Sequence, residues 1–312
     1  MTMYHVPVLL NECIDQLITN PDGIYIDATF GGGGHSRAIL EKLSPTGRLL
    51  AFDQDKDAWE NATTIQDSRF QLIPTNFRYL SNYLQFYGVS KIDGLLADLG
   101  VSSHQFDEGS RGFSIRFDSE LDMRMNTDQP VTAATIINTY SASQLTTILK
   151  EYGEILQAHK ITNVLLEARA EKPILTTFEL IEVLKPFLPK HYEYKVLAPI
   201  FQAFRIEVNQ ELQALKELLT STVPLLNNDA RLVVLSYHSL EDRIVKNFIR
   251  SGNTEGIIAT NIYGNLPVPI KAIYKKVVKQ EDSEEVENNN RSRSAVLRVA
   301  QKVIVNTNKY FQ

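Results

Sequence analysis

Ile26-Asp27-Ala28-Thr29-Phe30-Gly31-Gly32-Gly33-Gly34-His35-Ser36 is the stretch from which the fold can be read. Before it, Gly23-Ile24-Tyr25-Ile26-Asp27 has the apolar, β-branched character of a buried strand. After it, Ser36 to Leu43 carries Ala38, Ile39 and Leu43 at helical spacing. Glycines between a strand and a helix permit positive φ and let the backbone approach a ligand closely, and the helix N-terminus beyond them favours negative charge. Such a unit predicts a bound cofactor. A Walker loop is excluded, because His35-Ser36 follows Gly34 where the phosphate-reaching lysine would stand. A dinucleotide fingerprint begun at Gly31 puts Ser36 in place of its third glycine, a weak match.

Acidic residues close three apolar runs. The spacing Asp27-x-x-x-Gly31-x-Gly33 resembles the first motif of class I S-adenosylmethionine (SAM)-dependent methyltransferases, in which a strand-end acid and two glycines receive the amino-acid part of the cofactor. Gly47 to Phe52 ends in Asp53, twenty residues after Gly33, close to the spacing at which α/β nucleotide-binding folds hold a ribose diol. Asp53 also reads as the cap of a helix starting near Asp55-Lys56-Asp57-Ala58, and both roles stand at this point. Phe70 to Pro74 leads to Asn76-Phe77, and Ile92 to Ala97 ends in Asp98. Ligands of open α/β sheets bind at the carboxyl ends of strands, so Asp27, Asp53 and Asp98 are expected to converge on one crevice.

The 312 residues suggest two domains at ~100–200 residues each. Apolar residues at 43% and charged residues at 22% are ordinary globular values, which excludes global disorder. A single cysteine, Cys13, excludes an intramolecular disulfide framework and a thiolate metal cluster. No leader-like start and no apolar run approaching ~20 residues is seen, so a cytoplasmic location without a membrane anchor is expected. The net charge of −5 means that any nucleic-acid contact must be local. Basic candidates are Arg111, Arg116 and Arg124, Arg291 and Arg293 with Arg298, and Lys271 to Lys279. Each also reads as a solvated face.

From Gly23 to Leu99 strand and helix alternate, with helices near 36–43, 55–65 and 78–87, as in a parallel sheet with crossovers. Val101 to Gln129 then shows little periodicity, and helical patterns follow near 132–139, 143–152, 155–171 and 176–187. A long amphipathic segment over Ile200 to Leu219 leads back to a strand at Arg231 to Tyr237. Ile273 to Val278 and Ala295 to Val305 are expected to complete the sheet as an antiparallel edge hairpin, joined through the acidic loop Gln280 to Asn290. The expected architecture is therefore α/β, a class I SAM-dependent methyltransferase (Rossmann-like) sheet with an inserted all-helical domain. Residues 1–107 and 200–312 form the methyltransferase domain in this reading, and residues 108–199 the insertion, which serves substrate recognition.

Whole blocks of the chain resemble the RsmH (MraW) family. They are His5-Val6-Pro7-Val8-Leu9-Leu10-Asn11-Glu12, the Asp27 to Ser36 loop, Asp98-Leu99-Gly100-Val101-Ser102-Ser103, Arg111-Gly112-Phe113-Ser114 and Leu121-Asp122-Met123-Arg124-Met125. Phe201 to Asn209, Ser236 to Arg243 and Arg291 to Ala295 continue the series in the family's order. The resemblance implies methylation, with SAM, of the exocyclic N4 of a cytidine in the decoding region of bacterial 16S rRNA, within the small ribosomal subunit. It implies cofactor contacts from Gly33, Gly34, His35, Asp53, Phe77, Asp98 and Gln105, to which the strand-end motif adds Asp27 and Gly31. A homodimer is kept open. Two departures stand out: Lys195-Val196-Leu197-Ala198-Pro199 replaces a His-Pro-Ala-x-Arg stretch, and His104 replaces a proline after Val-Ser-Ser.

For the chemistry, Asp98 is the first candidate to accept a hydrogen bond from the target amine, with support of the cofactor or loop as its alternative role. His238, after the resumed strand, and Asn209, on the preceding helical segment, are further catalytic candidates. Each has a bland alternative, a loop hydrogen bond for His238 and a helix-to-loop brace for Asn209. Arg111, Phe113, Arg116 and Arg124, with Phe117, interleave cations and rings as RNA contacts do, although Asp118, Glu120 and Asp122 lie close enough to claim them as ion pairs. Methyl transfer from a sulfonium leaves no oxyanion, so no metal is invoked. A nicotinamide oxidoreductase and a SAM-binding assembly factor without turnover are the competing readings.

Overall fold

The computed structural model describes residues 7–102, 105, 109–189, 193–261, 264–278 and 290–304. His5, Val6, Ser103, His104 and the acidic stretch 280–289 lie outside them. Two compact units divide the chain, Met1–Gly100 with Leu212–Gln312, and Val101–Glu211.

The first unit is built on a seven-stranded sheet. Its strands are β1 (Ile24–Asp27), β2 (Arg48–Phe52), β3 (Phe70–Ile73), β4 (Ile92–Asp98), β5 (Leu226–Ser236), β6 (Ile270–Val277) and β7 (Val296–Lys302). They lie in the order β3-β2-β1-β4-β5-β7-β6. The first five run parallel, whereas β7 pairs antiparallel with both β5 and β6. Helices α1 (Leu10–Leu17), α2 (Gly34–Lys42), α3 (Lys56–Ala62) and α4 (Leu80–Phe86) belong to the amino-terminal half of this unit. The expected sheet and its antiparallel edge hairpin are thus present. The parallel strands are largely apolar in their central residues because both faces are covered there. Ile26, Leu50, Leu95, Ala97, Leu232 and Val234 enter one core cluster, while Tyr25, Leu49, Leu96, Val233 and Leu235 enter the other.

One strand is longer than its apolar pattern. β5 begins at Leu226, but Ile92 pairs with Leu226 and Gly94 with Arg231, so the residues between bulge out, with Asp229 at φ 63°. Asn227 in the bulge donates to Asp93 Oδ1 at 3.1 Å. The polar run Asn227-Asn228-Asp229 therefore reads as a turn while the chain is already paired.

The second unit holds the predicted helices as α5 (Ala133–Thr139), α6 (Ala142–Glu151), α7 (Ala158–Glu171), α8 (Thr177–Leu184) and α9 (Glu193–Asn209). Side-chain caps fix where they begin. Ser141 with Gln144, and Thr176 with Glu179, form reciprocal capping boxes, and the Thr132 hydroxyl accepts Thr135 N–H. The amphipathic segment expected over Ile200 to Leu219 is two helices, α9 and α10 (Glu211–Leu225), broken at Gln210 with φ 51°. Domain limits move with that break. Ile200, Phe201, Phe204 and Val208 are buried in the core of the second unit with Ile136, Leu145 and Leu165, so α9 belongs to the insertion rather than to the sheet domain. The chain crosses between units after Gly100 and after Glu211, not at the expected 107 and 199.

Candidate active site

The glycine loop of the first unit is tied down by the acid that precedes it. Asp27 is fully buried, its Oδ1 accepting Thr29 N–H at 3.1 Å and its Oδ2 accepting the Ser36 hydroxyl at 2.6 Å. Burial raises its pKa, opposed first by the Ser36 hydrogen bond. Its two oxygens thus shape the loop from beneath. Gly31 and Gly33 adopt left-handed φ of 51° and 76°. A Cβ on Gly33 would lie 2.7 Å from the Phe30 ring, and one on Gly34 would lie 2.2 Å from Pro7, so only glycine fits either place. Above Gly31 nothing stands within 4 Å of such an atom, leaving space over the loop.

The neighbouring strand ends face that space. β2 and β4 flank β1, with Asp27 in register with Ala51 and Leu96. Asp53, just past β2, accepts Gly31 N–H at 2.8 Å through Oδ2 and Asp55 N–H at 2.9 Å through Oδ1. The helix cap is Asp55, whose carboxylate accepts Asp57 N–H, so of the two roles read for Asp53 the cap is filled by its neighbour. Burial pushes the Asp53 pKa up to about 7 against those two amides. Phe77 opens a short 3₁₀ turn capped by Asn76, whose amide donates to Gln54 Oε1 at 2.9 Å and so ties that turn to the residue after Asp53.

Asp98 closes β4. Its N–H donates to the Thr29 hydroxyl at 2.7 Å, which fastens β4 to the glycine loop. Its Oδ1 accepts the Tyr237 phenol at 2.6 Å, and its Oδ2 lies 3.7 Å from His35 Nδ1 on the first turn of α2. Burial raises its pKa to about 7; the Tyr237 hydrogen bond lowers it and the Glu241 charge raises it further. The side chain still keeps 24% of its surface open. Burial and the neighbouring carboxylate push the Tyr237 hydroxyl far above the ordinary tyrosine range, so it stays a donor.

His238 caps α11 (Ser239–Ser251) beside this group, its Nε2 3.3 Å from Glu241 Oε1. Glu241, buried, accepts Tyr237 N–H at 2.9 Å through its other oxygen. Tyr237, Thr29 and Glu241 were not singled out from sequence. The signal for Tyr237 was its position one residue past a strand that neighbours β4.

The remaining candidates lie in the second unit. Gln105 is buried, in reciprocal hydrogen bonds with Ser102. Asn209 is braced rather than poised: its Oδ1 accepts Met125 N–H at 2.7 Å, and its amide donates to Met123 O at 2.7 Å and Arg205 O at 2.9 Å. Its side-chain donors are spent, one on the loop and one on its own helix, which leaves the helix-to-loop brace in place of catalysis. Arg124 holds Asp122 in a two-pronged pair and donates to the carbonyls of Thr127 and Gln129. Arg111 donates to the carbonyls of Arg124 and Met125 and sits 5.5 Å over the Phe113 ring, which is itself core. These three expected RNA contacts are loop scaffolding. Arg116, stacked 5.6 Å over the half-exposed Phe117, is the pair that faces water.

A glycine loop and strand-end acids meeting at the carboxyl edge of this sheet define a Rossmann-like methyltransferase. The chain matches the MraW methylase family model over residues 2–303, and it belongs to that family. It is 54% identical over 301 residues to Ribosomal RNA small subunit methyltransferase H of Parabacteroides distasonis, covering 96% of this chain and 98% of that one. Proteins of the same name from Christiangramia forsetii and Cytophaga hutchinsonii are 52% and 53% identical, over 96% of this chain and 98% and 100% of theirs. Family membership removes the nicotinamide reading. Among the described residues, no helix is long and apolar enough to cross a membrane.

Proposed function

We propose that this protein uses SAM to methylate the exocyclic N4 of a cytidine in the decoding region of bacterial 16S rRNA, presented within the small ribosomal subunit. The observation that carries this reading is the partly exposed Asp98 carboxylate, held at one oxygen by Tyr237 and with His35 3.7 Å from the other, beside the glycine loop of a MraW-family chain. The names of the relatives support the RNA and the subunit.

The residues fit the cofactor. Gly31, Gly33, Gly34 and His35 line the space for the amino-acid part, with the first turn of α2 behind them. Asp53 has lone pairs to spare for a ribose diol after accepting two amides, and Phe77 offers a ring to the adenine. Bound SAM supplies an electrophilic sulfonium methyl. Cytosine N4 is a poor nucleophile because its lone pair is delocalised into the ring, so the protein must favour the pyramidal amine. Asp98 does so by accepting an N4–H hydrogen bond at Oδ2, and it takes the proton that the alkylated amine sheds. A carboxylate with a pKa of about 7 is matched to that exchange near neutral pH. Holding the amine in line contributes ~7–11 kcal/mol.

Labelled SAM and small subunits from cells lacking the mark test the proposal. Transfer of label, with N4-methylcytidine found by nucleoside mass spectrometry, is the expected result. No transfer by protein that demonstrably binds S-adenosylhomocysteine overturns it.

A further inference from the structure

At the far edge of the sheet from β3, helix α11 and the edge strand β6 wall a groove of about 620 Å³. Lys246 and Arg250 line it from the helix, Lys271 and Lys275 from the strand, and all four are exposed. Among the described residues, no acidic side chain lines it. Arg298, at its base, is neutralised by Asp242 at 2.6 and 2.9 Å, and Arg250 donates to Gly256 O. Lys246, Lys271 and Lys275 have no ion-pair partner among the described residues. The floor is apolar, with Ile249 and Ile270, while Tyr274 packs against the core on the opposite face of the sheet.

We infer that this groove is a second RNA contact, holding the phosphates of a single-stranded segment next to the target cytidine. The inference rests on the proposed RNA substrate. Three observations support it. First, a chain of net charge −5 repels polyanions in general, so a two-walled cluster of cations is a local exception. Second, cations on both walls of an apolar-floored groove match the positively charged channel that tracks the backbone of an unpaired strand. Third, the register links the groove to the crevice. Asp98 pairs with Leu235, Leu235 with Leu297, and Leu297 with Lys276, so the upper end of the groove is level with Asp98 across three strand spacings. At about 4.8 Å each that is about 14 Å, a gap that a few nucleotides span.

Lysines on an edge strand also deter edge-to-edge pairing, so the experiment must separate the two roles. The triple variant Lys246→Ala, Lys271→Ala, Lys275→Ala is compared with wild type in methyl transfer to unmodified small subunits and in binding to a fluorescent oligouridylate. We expect KM for subunits to rise at least tenfold and the slope of log affinity for the oligonucleotide against log salt to flatten by about 2, three contacts at ~0.7 each. Affinity for S-adenosylhomocysteine serves as the folding control. An unchanged KM and slope overturn the inference, as does aggregation of the variant with KM intact. Wild-type binding to polyglutamate but not to oligouridylate, abolished by the three substitutions, overturns it in favour of an acidic protein partner. If wild type itself transfers no methyl group, the proposed function fails instead, while the oligonucleotide measurement still judges the groove.

Discussion

Two sets of polar residues suggested function from the sequence, the strand-end acids Asp27, Asp53 and Asp98, and the basic loop from Arg111 to Arg124. They turn out differently. The acids meet at one edge of the sheet, two of them with pKa values lifted to about 7. The arginines of the loop are mostly spent on its own carbonyls and on Asp122. The reason is the backbone. A strand in a parallel ladder satisfies its own peptide groups, so the acid at its end is left for the loops around it, through one amide and the Ser36 hydroxyl at Asp27 and two amides at Asp53, while Asp98 takes the Tyr237 phenol. A segment without regular structure must find partners for its carbonyls, and long cationic side chains supply them.

The sharpest way to break this contrast is Asp98→Ala. Removing a group that accepts the amine hydrogen bond and takes the proton is expected to lower kcat/KM by about 10²–10⁴, measured by label transfer to unmodified subunits, with S-adenosylhomocysteine still bound. A loss below tenfold would reduce Asp98 to loop support. Arg124→Ala is the counterpart. It leaves two carbonyls without their donor and Asp122 with only the backbone N–H of residue 124, so we expect a stability loss of about 2–4 kcal/mol in urea unfolding. Arg116→Ala, exposed, is expected to cost within about 0.5 kcal/mol. Equal effects from the two arginines would erase the distinction.

The parallel sheet was legible because strands buried on both faces are apolar runs, and the edge hairpin because its strands keep apolar or alternating character. The glycine loop was legible because Gly33 and Gly34 have no alternative residue. What escaped the sequence was decided by packing. The break at Gln210 lies inside a continuous amphipathic pattern, and the ownership of α9 depends on which core takes Phe201 and Phe204. The bulge of β5 hides a strand in an Asn-Asn-Asp run. Asn209 looked like a catalytic amide because the positive φ of Met123, which sets the loop carbonyl it braces, has no signature in residue type.

Tyr237→Phe probes how Asp98 is held within the crevice. The phenol donates to the ionised Asp98 carboxylate and so holds its pKa down. Without it the pKa rises, and the acidic limb of the activity profile, near pH 7 in wild type, moves to higher pH. Activity is then expected to fall several-fold at pH 7 and to recover by pH 9, a pattern that general loosening of the site would not give. A profile that drops equally at every pH would make Tyr237 a packing residue only.

The smallest effect concerns stability rather than rate. The folded-state pKa of Asp98 is about 7, against about 3.9 for an unfolded aspartate. A raised pKa means that the folded state binds the proton more tightly, so the contribution to stability is present below about pH 4 and is lost as pH rises through 7. At pH 8 the wild-type protein carries an ionised carboxylate in a site that disfavours it. Asp98→Asn keeps an acceptor for Tyr237 and removes that charge, so it is expected to unfold at a higher temperature than wild type at pH 8, with the gap closing towards pH 4. A three-unit shift equates to ~4 kcal/mol, and a side chain 24% open to water reduces it, so we expect about 1–2 kcal/mol. The inactive variant being the more stable one at pH 8 would show that the crevice keeps its carboxylate at a cost to the fold, which no arginine of the 111–124 loop imposes. A variant no more stable than wild type at pH 8 would mean that water, not protein, solvates Asp98.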